Sequence, residues 1–220
     1  MVTAIRQRRP RTLAEALRRL GNVPTHRILW TPYPGTATEA DALTRRRGPT
    51  GQLVELVDGT LVEKAMGARE SFMAASFIGL LYPIVSSGNR GLLGSSDLLC
   101  RVLQNQLRYS DASFTSWERL PAPDAHLQSI ADFTPDLCIE VLSDSNTRRE
   151  MARKRRDYFR GGARLVWEVD PVGCTVTVYE QPKNGRVLTT ADILDGGEVL
   201  PGFSLNLGEF FDLPQHKMKS

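Results

Sequence analysis

The sequence predicts an α/β fold: a mixed β-sheet core flanked by helices, with an N-terminal arm and hairpin. Three observations carry that prediction. Residues 133–143 read "FTPDLCIEVLS", with Leu137, Ile139 and Val141 on one side of an extended chain and Asp136, Cys138, Glu140 and Leu142 on the other. A strand apolar on both faces is normally covered on both faces by helices. Thr12 with Glu15, and Thr147 with Glu150, have the spacing of capping boxes that open helices. Asp58-Gly59 separates two alternating apolar runs in "QLVELVDGTLVEK", a strong short-range hairpin signal.

The first helix stops before Gly21. Residues 22–50 carry prolines at 24, 32, 34 and 49 and the run "RRRG", which reads as an extended, loosely structured arm. Residues 1–50 are therefore assigned to a helix and arm, and 51–220 to a single domain. After the hairpin, residues 69–86 have helical periodicity, with Glu70, Met73, Ala74, Phe77, Leu81 and Ile84 on one face. That face aims a carboxylate inward from the first turn, and Pro83 kinks or ends the last one. Residues 91–116 read as short strands ending in "RYSDASFTSW". Thr147 opens the helix "RREMARKRRDYFRGG", closed by Gly161-Gly162. "RLVWEVD" and "CTVTVYE" are strands joined by the turn at Asp170–Gly173, and the tail reads as a peripheral hairpin and a short helical turn.

The chain has 220 residues, is 41% hydrophobic and carries a net charge of +3, which permits nucleic acid as a partner without demanding it. Cys100, Cys138 and Cys174 are far apart and odd in number, against a disulfide scaffold or a zinc site. His26, His126 and His216 are equally scattered. "MVTAIRQRRPRT" has no apolar stretch behind its charges, and the apolar run near 72–85 is too short and broken to span a bilayer. These features predict a cytoplasmic domain with no membrane partner.

The chemistry lies in the carboxylates. If strands 111–116 and 135–142 pair antiparallel, Asp111 sits across from the Glu140–Leu142 end, and Asp136 faces the 115–116 end. Asp136 and Glu140 are then roughly 13 Å apart along the strand, too far to share one ion. Asp111 and Glu140 are the pair that can hold a hard divalent cation such as Mg²⁺, and Glu70 could add a third carboxylate. On the helix 148–160, Lys154 is placed to snorkel from the buried side toward the sheet. Simpler readings stand beside these. Glu70 can serve the backbone N–H groups of its own helix start, and Asp136 after a proline suits a structural role. The stripe Arg149, Arg153, Arg156 and Arg160 reads as a solvated face, with phosphate contact as the alternative.

Taken together, "ELVDGTLVEKAMGARES", "RYSDASFTSWERLP", "TPDLCIEVLSDSNTRREMARKRRDYFRGGARLVWEVDP" and "GEVLPGFSL" resemble, in order, the pattern of the Uma-two family in the PD-(D/E)XK nuclease superfamily. The resemblance implies a restriction-endonuclease-like core and an endonuclease that hydrolyses phosphodiester bonds with Mg²⁺, for which Mn²⁺ can substitute. It implies Asp111 and Glu140 as metal-binding acids, Glu70 as an accessory helix acid, and nucleic acid, DNA foremost, as substrate. A homodimer would suit cleavage of both strands of a duplex. Two departures stand out: Ser110 replaces the proline before the first acid, and Leu142 stands where a lysine is expected two positions after Glu140. Lys154 resembles a lysine that the family carries on the following helix. The competing class is an inactive nucleic-acid-binding module on the same fold. A small-molecule hydrolase finds no support, because there is no G-x-S-x-G motif.

Overall fold

The computed structural model describes Pro10 and residues 12–49, 51–65 and 67–212. His216 and most of the charged N-terminal stretch lie outside the described residues. The elements in chain order are α1 (Leu13–Arg19), α2 (Glu39–Arg47), β1 (Val54–Val57), β2 (Thr60–Glu63), α3 (Ala68–Ser87), β3 (Gly91–Gly94), β4 (Leu99–Leu103), β5 (Gln106–Tyr109), β6 (Ala112–Ser116), β7 (Leu137–Val141), α4 (Arg148–Gly161), β8 (Leu165–Asp170), β9 (Thr175–Tyr179), β10 (Arg186–Leu188), β11 (Ile193–Asp195), β12 (Ser204–Asn206) and α5 (Leu207–Phe211).

The central sheet has six strands in the order β10-β9-β8-β7-β6-β3. It is mixed, because β7 and β8 run parallel while β6–β7 and β8–β9 run antiparallel. The parallel pair needs a crossover, which α4 provides. One face of this sheet forms the main core with α3 and the tail: Met73, Phe77, Leu81 and Val85 pack with Ile139, Trp167, Phe203 and Phe210. At 20 residues α3 is longer than the apolar run read from sequence, and by length and composition it could cross a membrane. Pro83 lies inside it without ending it, and Gly88 caps it. The tail forms the predicted hairpin, β11 with β12, followed by α5.

The other face of the central sheet carries α4, and beyond α4 stands a second sheet in the order β2-β1-β5-β4. The Asp58-Gly59 hairpin forms as predicted, with both residues in left-handed conformations. It is not an appendage. Of the strands between 91 and 116, β4 and β5 leave the central sheet and join the hairpin, while β3 and β6 stay. Alternation on this second sheet explains its two faces: Val54, Leu56, Leu107 and Tyr109 enter a core under α2, whereas Glu55 and Arg108 are buried on the opposite side.

The reading of residues 22–50 as a loose arm is corrected. Thr38 and Asp41 form a complete capping box that starts α2, which seats Ala42 beneath the hairpin. Arg27 is buried and holds Glu150 of α4 with two hydrogen bonds of 3.1 and 2.9 Å. Gly21 touches the start of α4 so closely that a Cβ there would lie 2.6 Å from the Glu150 backbone, and its carbonyl accepts from the Thr147 hydroxyl at 2.6 Å. Prolines signalled the absence of regular structure, but packing against α4 supplied the order.

Candidate active site

The β6–β7 ladder pairs Ala112 with Ile139, Ser113 with Cys138 and Phe114 with Leu137. The Asp111 N–H also donates to the Ile139 carbonyl, at 2.9 Å, so Asp111 and Ala112 both meet Ile139 and the regular pairing ends there. Asp111 therefore stands beside the Glu140 end of β7 without being paired with Glu140. Asp111 Oδ2 accepts the Val141 N–H at 2.7 Å, and its Oδ1 lies 2.9 Å from the Lys64 ammonium. Lys64, just beyond β2, is fixed in turn by the Ser96 and Ser110 carbonyls at 2.8 and 3.2 Å.

Across the ladder, Lys154 Nζ donates to Glu140 Oε2 at 2.8 Å. The Tyr158 hydroxyl lies 2.5 Å from Glu140 Oε1 and 3.0 Å from the Tyr109 carbonyl. Lys154 and Tyr158 are one helical turn apart, so one face of α4 grips both oxygens of Glu140. Lys154 does not snorkel to the sheet edge; it is buried, with Glu55 Oε1 as a second partner at 3.0 Å. Thus the cation that Leu142 cannot supply beside Glu140 arrives from another backbone position.

Burial pushes the Glu140 carboxyl up to about 7, with Asp111 adding to the rise while Lys154 and Tyr158 oppose it. Burial would also raise Glu55, but the Lys154 and Arg108 charges outweigh it and hold that carboxyl at about 2. For Lys154, burial favours the neutral amine, yet Glu140 and Glu55 win and hold the ammonium above its ordinary range. At neutral pH this is a charged lysine between one firmly ionised carboxylate and one that titrates.

The other expected residues fall elsewhere. Asp136 sits at the far end of β7, accepting from the Ser116 N–H and hydroxyl at 2.8 Å each and from Arg119 at 3.3 and 3.0 Å. It is structural, as its position after Pro135 suggested. Glu70 is half-buried in the first turn of α3, its carboxylate folded over Gly67, which caps the helix without a side chain. Among the described residues no hydrogen bond or ion pair joins Glu70 to Asp111, Glu140 or Lys154, so the structure does not bring this carboxylate to the pair. Unmatched N–H groups at a helix start attract a first-turn carboxylate. The arginine stripe is also revised. Arg149, Arg156 and Arg160 are exposed, but Arg153 turns to Asp58 at 2.8 Å. Arg155 binds Glu168 at 2.5 Å and lies 3.8 Å over the Tyr179 ring.

Sequence reasoning missed Glu55, Lys64, Arg108 and Tyr158. The signal for Glu55 was present: it interrupts the apolar run of β1 as Glu140 interrupts β7. Lys64 and Arg108 carry no comparable mark, since Lys64 finds Asp111 only through tertiary folding and Arg108 finds Glu55 and Asp157 only when β5 pairs with β1 and packs on α4.

Asp111 and Glu140 offer hard oxygen donors at one end of β7, and that chemistry fits a Mg²⁺ or Mn²⁺ ion that keeps most of its waters. Among the described residues no group of three or more His, Cys, Asp or Glu side chains is arranged to hold a metal ion.

A profile of the Uma2 family, described as "Putative restriction endonuclease", matches residues 40–208. The chain belongs to this family. The Uma2 match spans Glu55, Lys64, Asp111, Glu140 and Lys154 alike. Among solved structures, a "putative nuclease belonging to DUF820" from Anabaena variabilis superposes with a TM-score of 0.68 at 19% identity, covering 79% of this chain and 97% of its own. That likeness establishes the fold, which is restriction-endonuclease-like. No curated protein sequence matches the Uma2 chain.

Proposed function

We propose that the chain is a Mg²⁺-dependent endonuclease acting on nucleic acid, DNA foremost, with Asp111 and Glu140 as metal ligands and Lys154 as the catalytic cation. The observation that supports it is the Lys154 ammonium, 2.8 Å from Glu140, at the strand end where Asp111 accepts the Val141 N–H. A bound Mg²⁺ would supply a water of lowered pKa and neutralise charge on the scissile phosphate. Lys154, charged and held by hydrogen bonds, stabilises the extra negative charge of the pentacovalent phosphorus. Tyr158 fixes the orientation of Glu140, and Lys64 that of Asp111. A cavity of about 530 Å³, lined by Arg148, Met151, Arg155, Glu168 and Tyr179 among others, opens on the β8 side. Glu168 is the register partner of Glu140 on β8, so this opening lies one strand from Glu140, on the side of β7 away from Asp111. Cleavage of both strands of a duplex would be served by a symmetric dimer.

One observation favours the second reading, an inactive binding module: Asp111 and Glu140 are each only 4% exposed and Lys154 6%. The test is incubation of purified protein with plasmid and with single-stranded DNA in Mg²⁺, Mn²⁺ or excess EDTA. The nuclease reading expects cleavage with either ion and none in EDTA. Retention of DNA on a gel without cleavage in either ion would establish the module instead.

A further inference from the structure

The Lys154 ammonium touches two carboxylates from two different sheets. Glu140 comes from β7 of the central sheet and Glu55 from β1 of the second. Their surroundings differ. Both oxygens of Glu140 depend on α4 side chains, Lys154 and Tyr158. Glu55 is built in independently of Lys154: Arg108 donates to its Oε2 at 2.7 Å and the Tyr109 N–H to its Oε1 at 3.2 Å. Arg108 also binds Asp157, at 2.5 Å, and Asp157 lies on α4 one turn beyond Lys154. The chain Lys154–Glu55–Arg108–Asp157 therefore closes on the same helix it starts from.

Resting on the nuclease reading above, we propose that Glu55 is a positioning residue that anchors the Lys154 ammonium beside the acid pair independently of Glu140. A carboxylate that must also serve a divalent ion cannot hold its lysine in one place. Glu55 has no such second duty, because Arg108 and the Tyr109 amide fix it. The hairpin sheet thereby becomes part of the catalytic apparatus, which its position outside the central sheet does not suggest.

The experiment is a cycle of Glu55→Gln, Lys154→Met and the double variant, measured twice: as single-turnover plasmid cleavage at saturating protein, and as thermal melts in EDTA. Glu55→Gln is expected to slow the cleavage step about 10- to 100-fold, within the range for losing a transition-state group, without weakening the apparent affinity for plasmid. In the Lys154→Met background it should cost nothing further. A purely structural Glu55 would give the same fold-loss in both backgrounds, and that result overturns the proposal. The melts separate the two failures. If the wild type cuts nothing while the melting shifts are non-additive, the nuclease reading falls and the anchor stands. Additive shifts remove the anchor whatever the chain cuts. Should Glu55→Gln not fold because Arg108 is left with one partner, Glu55→Gln with Arg108→Met replaces it in the same cycle, with Arg108→Met as its reference.

Discussion

The two ends of β7 carry one buried carboxylate each, Asp136 and Glu140, with exposures of 2% and 4%. Burial does not tell them apart; their partners do. Asp136 is matched by a neighbouring backbone N–H, a hydroxyl and Arg119, all within twenty residues of sequence and none shared with a second acid. Glu140 shares its lysine with Glu55, shares its tyrosine with a backbone carbonyl and has a second acid, Asp111, bound to the N–H of the next residue on its strand. Partners that no second acid claims make a carboxylate a fastener, even where one of them, Arg119, also donates to the Gly162 carbonyl. A shared cation and a nearby acid leave it poised to exchange one partner for another.

The largest effect that can break this comparison is on cleavage. Glu140→Gln should take metal-dependent cleavage below detection and abolish calorimetric Mn²⁺ binding. Its melting temperature should hold or rise, because a costly buried charge is removed. Asp136→Asn should keep both cleavage and metal binding. The reverse pattern would move the site to the other end of the strand. Next in size, Lys154→Met should slow cleavage by ~10²–10³. It should also cost stability, on the order of 3 kcal/mol, since it strips the cation from between two buried carboxylates. Protonation of Glu140 limits that cost, and a wild-type cleavage rate in this variant would remove Lys154 from the mechanism.

Much of this comparison was legible in the sequence, and what was not has a physical reason. The doubly apolar strand with acids at both ends, the placing of Asp111 at the Glu140–Leu142 end and the inward-facing lysine of the helix all follow from periods of 2 and 3.6 and from turn chemistry. Those periods say which face a side chain takes but not which sheet a strand joins. Hence β4 and β5 read as one meander with β3 and β6, and Glu55 and Arg108 went unseen. The charged side of α4 misled for a related reason. Arg153 was read as part of a solvated stripe, yet Asp58 in the β1–β2 turn meets it, and beside it Glu150 and Asp157 are met by Arg27 from the N-terminal segment and Arg108 from β5. Charge on a helix marks water only when no oppositely charged element packs there. Glu70 failed differently: helical phase placed it on the inner face, but at the first turn the helix's own N–H end competes for the carboxylate.

Asp136→Asn sharpens the structural half. Losing charge-assisted acceptance from Ser116 and Arg119 should cost roughly 1–3 kcal/mol of unfolding free energy, read from urea titrations. The rate of cleavage per folded molecule should stay unchanged. A variant as stable as the wild type would mean that Arg119, itself 27% exposed on its side chain, contributes little and that the strand end is held by packing alone.

The smallest effect is also the most specific to Glu140, and it needs no substrate. In EDTA, its folded carboxyl at about 7 lies above the ordinary value of 4.5. The folded state therefore binds this proton more tightly than the unfolded chain does, and the sign of linkage follows. The stability that protonated Glu140 allows is fully present below pH 4.5 and is lost as pH rises through about 7. Glu168, which burial raises in the same direction, titrates in both proteins, so subtracting the Glu140→Gln curve from the wild-type curve cancels it to first order. Each pH unit inside that window is worth at most ~1.4 kcal/mol. The value of about 7 already includes the pull of the charged Lys154, and the difference should fall by about 2–3 kcal/mol between pH 5 and pH 8. Denaturant melts of the two proteins at matched ionic strength would measure it. A flat difference would show that Glu140 is ionised across the whole range, and the contrast between the two ends of β7 would then lie in their partners and their distance from Asp111 alone.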